Sequence, residues 1–301
     1  MTVTVTNKDE DQKEIARKSR SSFLYSFALL SKEKNDAMNT IYAFCRKTDD
    51  IVDSTDEPDE VKMSRIVEWR NELEKAMING DSRFSLLNKL NTVKKKFNIP
   101  AEPFFDLIRG MEMDLQKNRY NTFGELTEYC FNVASTVGLM SIEVFGYSNQ
   151  KTKDFAVNLG IALQLTNILR DIRQDAEYGR IYIPLEDMRK FGYTESDLIN
   201  MKYDERFVEL MKYECERAKA YYSKADSFLT KDDKGLMFAA RIMQHIYFRL
   251  LKKIEKKNYN VFERKVRVSK LKKIYIAAGV FLKYKLLYNS GSETKIAMNG
   301  K

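Results

Sequence analysis

Residues 164–175 read QLTNILRDIRQD, and residues 42–53 read YAFCRKTDDIVD. Each stretch ends in two aspartates that are four positions apart, Asp171 and Asp175 in the first and Asp49 and Asp53 in the second. On a helix of about 3.6 residues per turn, side chains at this spacing share a face, so each pair brings two like charges together. Two such pairs indicate that a positive group lies between them. Oxygen ligands suit Mg²⁺, which usually keeps several waters and bridges to substrate phosphates.

Both aspartate pairs belong to longer polar stripes at helical spacing. The stripe residues are Tyr42, Arg46, Asp49 and Asp53 in the first helix, and Gln164, Asn167, Asp171 and Asp175 in the second. A surface helix with an Arg–Asp pair would explain one stripe alone, although such a pair contributes little to stability. Two polar stripes on helices that are otherwise rich in apolar residues favour a polar floor within a largely apolar cavity.

The stripes predict how a phosphorylated substrate would be bound. Carboxylates cannot neutralise phosphates directly, so two or three Mg²⁺ ions would bridge the two sets of oxygens. Arg46, Arg170 and Arg180 would hold the phosphates. If the departing diphosphate leaves an allylic carbocation, that cation needs a dry pocket with aromatic faces. The aromatic candidates, each of which would also serve as ordinary core, are Tyr25, Phe27, Tyr42, Tyr129, Phe131 and Tyr247.

Composition favours an all-α protein. The chain has 44% hydrophobic residues, four prolines and twelve glycines, which leaves long stretches without helix breakers. The predicted helices cover residues 10–35, 36–53, 60–79, a segment ending near 98, 102–118, 122–145, 151–177, 184–190, 195–199, 204–229, 233–257 and 268–288. No linker interrupts residues 15–288, which we read as one domain between a flexible tail at 1–14 and a disordered tail at 289–301.

The basic charge is concentrated near the C-terminus. The net charge is +9, and residues 249–285 contain thirteen Lys or Arg against two Glu. No zinc-finger spacing or RNA-binding aromatic signature accompanies it, so we expect no nucleic-acid partner. The apolar run at 274–282 is too short to span a bilayer. It fits either a core helix with a solvated basic face, which we favour, or a helix that lies on a membrane surface.

Cysteine and histidine usage narrows the class of protein further. Cys45, Cys130 and Cys215 are far apart and form no CxxC pair, so we expect neither a disulfide nor a zinc site. No nucleophile motif points to the one histidine, His245, which we expect to be packed or at the solvent edge. The N-terminus lacks the apolar core of a signal peptide. We therefore expect a cytoplasmic protein, with a peripheral membrane surface as an alternative location.

The two motifs closely resemble the signatures of the squalene/phytoene synthase family. The second signature continues through Gly179-Arg180-Ile181-Tyr182-Ile183-Pro184, and the resemblance extends from Ser22 to about residue 285. It implies an all-α isoprenoid synthase bundle in which the two aspartate motifs face each other across a central cavity. It also implies a prenyltransferase that joins two prenyl diphosphates head to head (1'-1), through a cyclopropyl carbinyl diphosphate.

The same resemblance implies roles for individual residues. Asp49, Asp53, Asp171 and Asp175 match the Mg²⁺-binding aspartates, with Asn167 beside them. Residues matched to the substrate and its diphosphates are Ser22, Tyr42, Arg46, Tyr129, Gln164, Asn167, Arg170, Arg180 and Tyr247. Arg46 is also counted with the catalytic aspartates, and Asp50 is expected to support them. Gln174 stands where many relatives have Glu, which removes one charge and would weaken a third metal site.

Within the family, residues 239–247 and 266–269 are similar to the presqualene diphosphate synthases of the bacterial hopanoid route. That branch uses farnesyl diphosphate and does not need NADPH. The alternatives are a phytoene synthase, which takes geranylgeranyl diphosphate, and an NADPH-dependent squalene synthase. A non-catalytic assembly-factor relative is disfavoured because such proteins usually lose the aspartates and this chain keeps all four. The oligomeric state stays open.

Overall fold

A computed structural model describes residues 23–53 and 57–288 of the chain. Ser22 and the predicted tails at 1–14 and 289–301 lie outside these residues, so the predicted domain limits stay predictions. The described part is helical and contains no strand, although an isolated parallel bridge pairs Arg119 with Ile181. This confirms the all-α fold class.

The helices are numbered in chain order. Their bounds are α1 Phe23–Phe27, α2 Lys32–Val52, α3 Asp59–Asn79, α4 Ser85–Lys96, α5 Glu102–Gln116, α6 Phe123–Cys130, α7 Thr136–Phe145, α8 Lys151–Glu177, α9 Leu185–Lys190, α10 Glu195–Ile199, α11 Glu205–Phe228, α12 Lys231–Lys234, α13 Phe238–Lys256 and α14 Lys270–Tyr288. Most agree with the predicted segments to within two residues. Local capping explains several starts, such as that of α6, where the Thr122 hydroxyl accepts a hydrogen bond from the Glu125 N–H.

Helix α8 lies at the centre of the bundle, where it packs against α7, α11 and α13. Its length follows from an apolar sequence in which most side chains up to Ile172 are buried. A close approach to the neighbouring segment is made at Gly160, where an added Cβ would lie 2.5 Å from the Cα of Ser135. Because α2 is also buried along most of its length, both aspartate motifs are carried by helices that the core holds in place.

A π-helical turn, Phe131–Ser135, joins α6 to α7. The sequence predicted one unbroken α-helix over 122–145, and this is the part of that prediction that is wrong. A π turn inserts one extra residue into the helix and is frequently found at functional sites. Here it brings Val133 and Ala134 to the wall of the cavity described below.

Two other predicted helices are divided in the structure. The segment predicted at 10–35 is interrupted after Phe27, and the chain turns before α2 begins. The Asn35 side chain donates a hydrogen bond of 2.8 Å to the Phe27 carbonyl and holds this turn. The segment predicted at 233–257 is divided into α12 and α13. Asp233 is buried there and accepts hydrogen bonds from the backbone of Ser148 and Asn149.

Helix α14 covers one side of the bundle. Its Ala277, Val280 and Tyr284 pack against Ile242 and Ile246 of α13 in a small cluster apart from the main core. The face of α14 opposite this cluster exposes apolar side chains as well as lysines. The expectation of a core helix with a basic solvated face is therefore only partly right. In residues 23–53 and 57–288, none of the helices is both long and apolar enough to cross a membrane.

Candidate active site

A cavity of about 260 Å³ opens between α1, α2, α5, the π turn, α7, α8 and α13. Its polar lining residues include Tyr42, Arg46, Asp49, Gln164 and Asn167. Its apolar lining includes Phe27, Met38, Ile41, Leu107, Val137, Ile142, Phe145, Phe155, Leu159 and Met243. Along α8 the lining runs from Phe155 to Asn167, a length of roughly 18 Å. The cavity is thus a long apolar space with its polar residues near the C-terminal halves of α2 and α8.

The two aspartate motifs meet at this polar end. Asp49 of α2 and Asn167 of α8 line the same cavity. Arg180, which follows α8, lies with its Nη1 3.7 Å from Oδ1 of Asp53. Asp53 is exposed at the end of α2. The motifs therefore face one shared space, as the resemblance implied.

One carboxylate in each pair lies in surroundings that disfavour its charge. Burial, followed by repulsion from Asp53, raises the pKa of Asp49 to about 8. Burial, followed by repulsion from Asp171, raises the pKa of Asp175 to about 7. Arg180 opposes the second shift without cancelling it. Additional positive charge between the motifs would relieve both carboxylates.

Asp171 is in a different situation, because two cations bind its carboxylate. Arg170 donates from Nε at 2.9 Å and also from Nη2, and the Nζ of Lys265 lies 2.8 Å from Oδ1. Burial alone would raise the pKa of Asp171, but these two partners lower it. Lys265 also donates to Oε1 of Gln174 at 2.9 Å. Gln174, for which the resemblance implied a Glu, thus helps to hold a lysine over the second motif.

The predicted arginines all lie at the polar end. Arg46 lines the cavity and pairs with Asp50 at 2.6 Å, so the structure places Asp50 as a partner of this arginine. Arg170 lies near Tyr247, which lines the cavity from α13. With Arg180 near Asp53, three cations surround the space between the motifs. They are positioned to bind the oxygens of a diphosphate.

A buried network that the sequence did not reveal lies beside the motifs. Asp114 of α5 accepts hydrogen bonds from Tyr129 at 3.0 Å and from Tyr182 at 2.7 Å. Burial raises the pKa of Asp114 to about 6, against the opposing charge of Arg180. One signal was present in the sequence: Asp114 continues, at helical spacing, the apolar stripe that includes Met111. A carboxylate at such a position needs polar partners, and the two tyrosines provide them.

The aromatic candidates divide into two groups. Phe27, Tyr42 and Tyr247 line the cavity. Tyr25, Tyr129 and Phe131 are not among its lining residues. Tyr129, which was predicted to bind substrate, is buried and donates its hydroxyl hydrogen bond to Asp114. Ser22 lies outside the described residues, and His245 is half-buried beside a surface groove, away from the cavity.

The residues of the polar end fit divalent metal ions that are shared with a substrate. The side-chain amide of Asn167 donates a hydrogen bond of 3.3 Å from Nδ2 to Gln164. Its Oδ1 atom is buried and accepts no hydrogen bond from the described residues. The raised pKa values of Asp49 and Asp175 also indicate missing positive charge. In the part of the chain that the structure describes, no three acidic, His or Cys side chains form a ready-made metal cluster. A Mg²⁺ ion bound here would take its remaining ligands from waters and substrate phosphates.

The sequence matches a family model described as squalene/phytoene synthase over residues 16–272. Among curated relatives, the phytoene synthase of Arthrospira platensis is 36% identical over 87% of this chain and 88% of its own length. The 15-cis-phytoene synthase of Synechocystis sp. is 35% identical over 92% of this chain and 87% of its own length.

Solved structures show the same fold. A dehydrosqualene synthase in complex with a ligand superposes with a TM-score of 0.79 at 28% identity, covering 91% of this chain and 95% of that one. The squalene synthase HpnC of Alicyclobacillus acidocaldarius gives a TM-score of 0.75 at 24% identity, covering 83% and 93%. At that identity, the second likeness speaks for the fold alone.

Proposed function

Because this chain belongs to the squalene/phytoene synthase family of prenyltransferase-type enzymes, we propose that it condenses two molecules of geranylgeranyl diphosphate head to head to form phytoene. The carrying observation is the cavity itself, an apolar space with both aspartate motifs at one end. The resemblance of residues 239–247 and 266–269 to one branch of the family favoured farnesyl diphosphate and presqualene diphosphate. The phytoene synthases among the curated relatives support the longer substrate better.

The polar end would bind and orient the diphosphates. Arg46, Arg170 and Arg180 would donate hydrogen bonds to phosphate oxygens, which fixes the allylic carbon at the entrance of the apolar space. Asp49, Asp53, Asp171, Asp175 and the carbonyl oxygen of Asn167 would hold Mg²⁺. When bound there, Mg²⁺ would supply the positive charge that makes diphosphate a good leaving group.

The apolar walls would protect and guide the reaction. The allylic C–O bond of one substrate breaks, and the double bond of the second attacks the resulting carbocation. Loss of a proton closes the cyclopropyl ring, with the second diphosphate still attached. The faces of Tyr42 and Tyr247 would stabilise the cation while the cavity excludes water. Departure of the second diphosphate and loss of another proton would give phytoene, a sequence that needs no hydride and therefore no NADPH.

A second candidate is the shorter substrate. The 28% identical solved structure is a dehydrosqualene synthase, and the apolar lining of the cavity would suit the aliphatic chain of either substrate. Farnesyl diphosphate would then give presqualene diphosphate or a C30 product by the same chemistry.

One experiment separates these candidates. The purified chain is incubated with Mg²⁺ and either geranylgeranyl or farnesyl diphosphate, without NADPH, and the products are analysed by mass spectrometry. We expect a C40 hydrocarbon and inorganic diphosphate from the longer substrate. A product from farnesyl diphosphate alone would select the second candidate, and no product from either would overturn the proposed activity.

The same assay tests the metal ligands. Asp49→Asn and Asp171→Asn keep the side-chain shape and remove the charge, so we expect turnover to fall at least about a hundredfold with unchanged circular dichroism. Excess EDTA should stop diphosphate release. Turnover equal to that of the wild type in both variants would contradict the assignment of these aspartates as metal ligands.

A further inference from the structure

The outer face of α14 carries a continuous apolar stripe at helical spacing. Its large side chains are Leu271, 81% exposed, Ile274, 53% exposed, Tyr275, 71% exposed, and Leu282, 55% exposed. With the exposed Ala278 between them, these five residues define the outer stripe. The opposite face of the same helix already packs on α13. A surface helix that is apolar on both faces has one apolar face that the described residues do not cover.

Cations surround the outer stripe. The sequence of α14 contains five lysines and no acidic residue. Lys270, Lys272 and Lys283 are exposed, and Arg249 and Lys252 of α13 line the adjoining groove. The ammonium group of Lys272 lies 4.7 Å from the ring centroid of Tyr275, so charge and aromatic surface are mixed at the same place.

We propose that the outer stripe is a docking surface for an anionic lipid bilayer. Apolar side chains would enter the interface between headgroups and acyl chains, a tyrosine would lie at that level, and the lysines would pair with anionic headgroups. A second copy of the chain fits this face poorly. Two such faces would bring their lysines together without acidic residues on α14 to oppose them.

Docking through α14 would bring the cavity close to the bilayer. Helix α13 packs α14 through Ile242 and Ile246 and lines the cavity through Met243 and Tyr247. Packed helix axes are separated by about 8–10 Å, so the bilayer would lie one helix layer from the cavity wall. Under the proposed function, a water-insoluble hydrocarbon formed in the cavity would then have a short path to lipid.

The test is co-sedimentation of the full chain with vesicles, in the absence of substrate. One set contains phosphatidylcholine alone and the other also contains phosphatidylglycerol. We expect binding to the anionic vesicles at low salt and weaker binding as salt screens the lysines. The variant Leu271→Ser/Ile274→Ser/Tyr275→Ser should lower the partition coefficient at least about tenfold. A matched control, Val61→Ser/Val67→Ser/Ile78→Ser, removes three exposed apolar side chains from α3 and should bind like the wild type.

Several results would overturn the proposal. The first is that the wild type does not bind anionic vesicles at low salt, and the second is that the outer-stripe variant binds them as well as the wild type does. The third is that light scattering shows a dimer for the wild type that the outer-stripe variant does not form. If the triple variant loses helicity, Leu271→Ser and Lys270→Gln/Lys272→Gln, each at exposed positions, take its place. Because no prenyl diphosphate is present, failure here leaves the condensation assay to be decided separately.

Discussion

At the level of single residues, Lys265 has the least expected position. It lies outside both motifs, yet its ammonium group contacts Asp171 at 2.8 Å and Gln174 at 2.9 Å. Asp171 is a proposed metal ligand, so this lysine occupies part of the space that a metal ion would take and supplies part of its charge. Lys265 and Mg²⁺ should therefore compete for Asp171.

We predict that Lys265→Met strengthens Mg²⁺ binding to the substrate-free protein roughly two- to fivefold, the range expected for loss of a partly exposed ion pair. The midpoint of a Mg²⁺ titration of the melting temperature measures this without any turnover. Lys256→Met removes an exposed lysine from the last turn of α13 and serves as the control. Weaker Mg²⁺ binding by Lys265→Met would mean that the lysine supports the site and does not compete with the metal.

Residues within one helical stripe could be predicted, and residues brought in by the fold could not. The sequence allowed Asp49, Asp171 and Asn167 to be proposed as site residues, because a polar face repeats there at helical spacing. Lys265 and Asp114 are distant in sequence from the residues that they contact, and no local pattern connects them. Tyr129 stays a predicted substrate-binding residue, and the contact that the sequence did not predict is the hydrogen bond from its hydroxyl to Asp114.

At the level of elements, the π turn and α8 are held together by glycine. The Cβ of an alanine at Gly160 would meet the backbone of Ser135 at 2.5 Å, and backbone atoms cannot move aside as a side-chain tip can. We predict that Gly160→Ala lowers the free energy of unfolding by about 1–3 kcal/mol, measured by urea denaturation.

Gly279→Ala in α14 is the matched control. An added Cβ there meets no atom within 4 Å, so this helix-interior substitution should raise stability by about 0.4–1 kcal/mol. If both substitutions shift the denaturation midpoint equally, the close approach of α8 to the π turn is not what constrains residue 160.

Helix α7 offers a way to test how the cavity selects chain length. Gly138 of α7 lies against Ala156, and Gly160 lies against Ser135, so α7 runs antiparallel to α8. Phe145, at the C-terminal end of α7, therefore lies towards the Phe155 end of the cavity, away from Asn167. Ser141, one turn before Phe145, also lines it. Ser141→Phe should reduce turnover of geranylgeranyl diphosphate at least about tenfold more than turnover of farnesyl diphosphate.

Ser141→Ala removes the hydroxyl without filling the cavity and should leave the ratio of the two turnovers unchanged. The ratio in Ser141→Phe is read from the same diphosphate-release assay. Equal losses with both substrates would show that position 141 lies too close to the reacting carbons to measure tail length.

Element limits were predicted well where one helical period runs without interruption, as in α8, and less well where a side chain ends the pattern. Asn35 binds a backbone carbonyl 8 residues away and Asp233 binds a backbone N–H 85 residues away, and both contacts break segments that look continuous in sequence. The π turn leaves no residue-type signature, because its extra residue is accommodated by packing against α8.

For the whole molecule, the fold and the meeting of the motifs followed from the sequence, but chain-length selection did not. Two polar stripes on apolar helices require one shared interior, and the structure provides it. Cavity depth, in contrast, depends on how Met38, Phe145 and Phe155 from three helices close around the same space. The depth of the cavity is a property of the assembled bundle. The choice between a C15 and a C20 substrate therefore rested on similarity to known proteins alone.

The stability of the whole molecule should report the charge missing from its centre. Carboxyls whose folded-state pKa is raised contribute stability that is complete below about pH 4 and is lost as pH rises through the folded value. Above about pH 4 this stability falls as pH rises, until the loss is complete near pH 7 for Asp175 and near pH 8 for Asp49, so its last part is lost between roughly pH 6.5 and roughly pH 8.5. Burial also raises the pKa of Glu214, away from the site and in the same direction, so a variant is needed to isolate the active-site share.

We therefore predict that the metal-free protein melts at least about 2 °C lower at the alkaline end of this range than at its acidic end. His245 has a lowered pKa and acts oppositely only in more acidic solution. Mg²⁺ binds the deprotonated carboxylates, so adding it with inorganic diphosphate should raise the melting temperature more at alkaline pH. Without metal, the melting temperature of Asp49→Asn should fall less with rising pH than that of the wild type, because an amide does not ionise. Calorimetric scans with and without Mg²⁺ measure each effect, and a pH slope that is the same in wild type and Asp49→Asn would mean that Asp49 is not the desolvated carboxyl at the centre of the site.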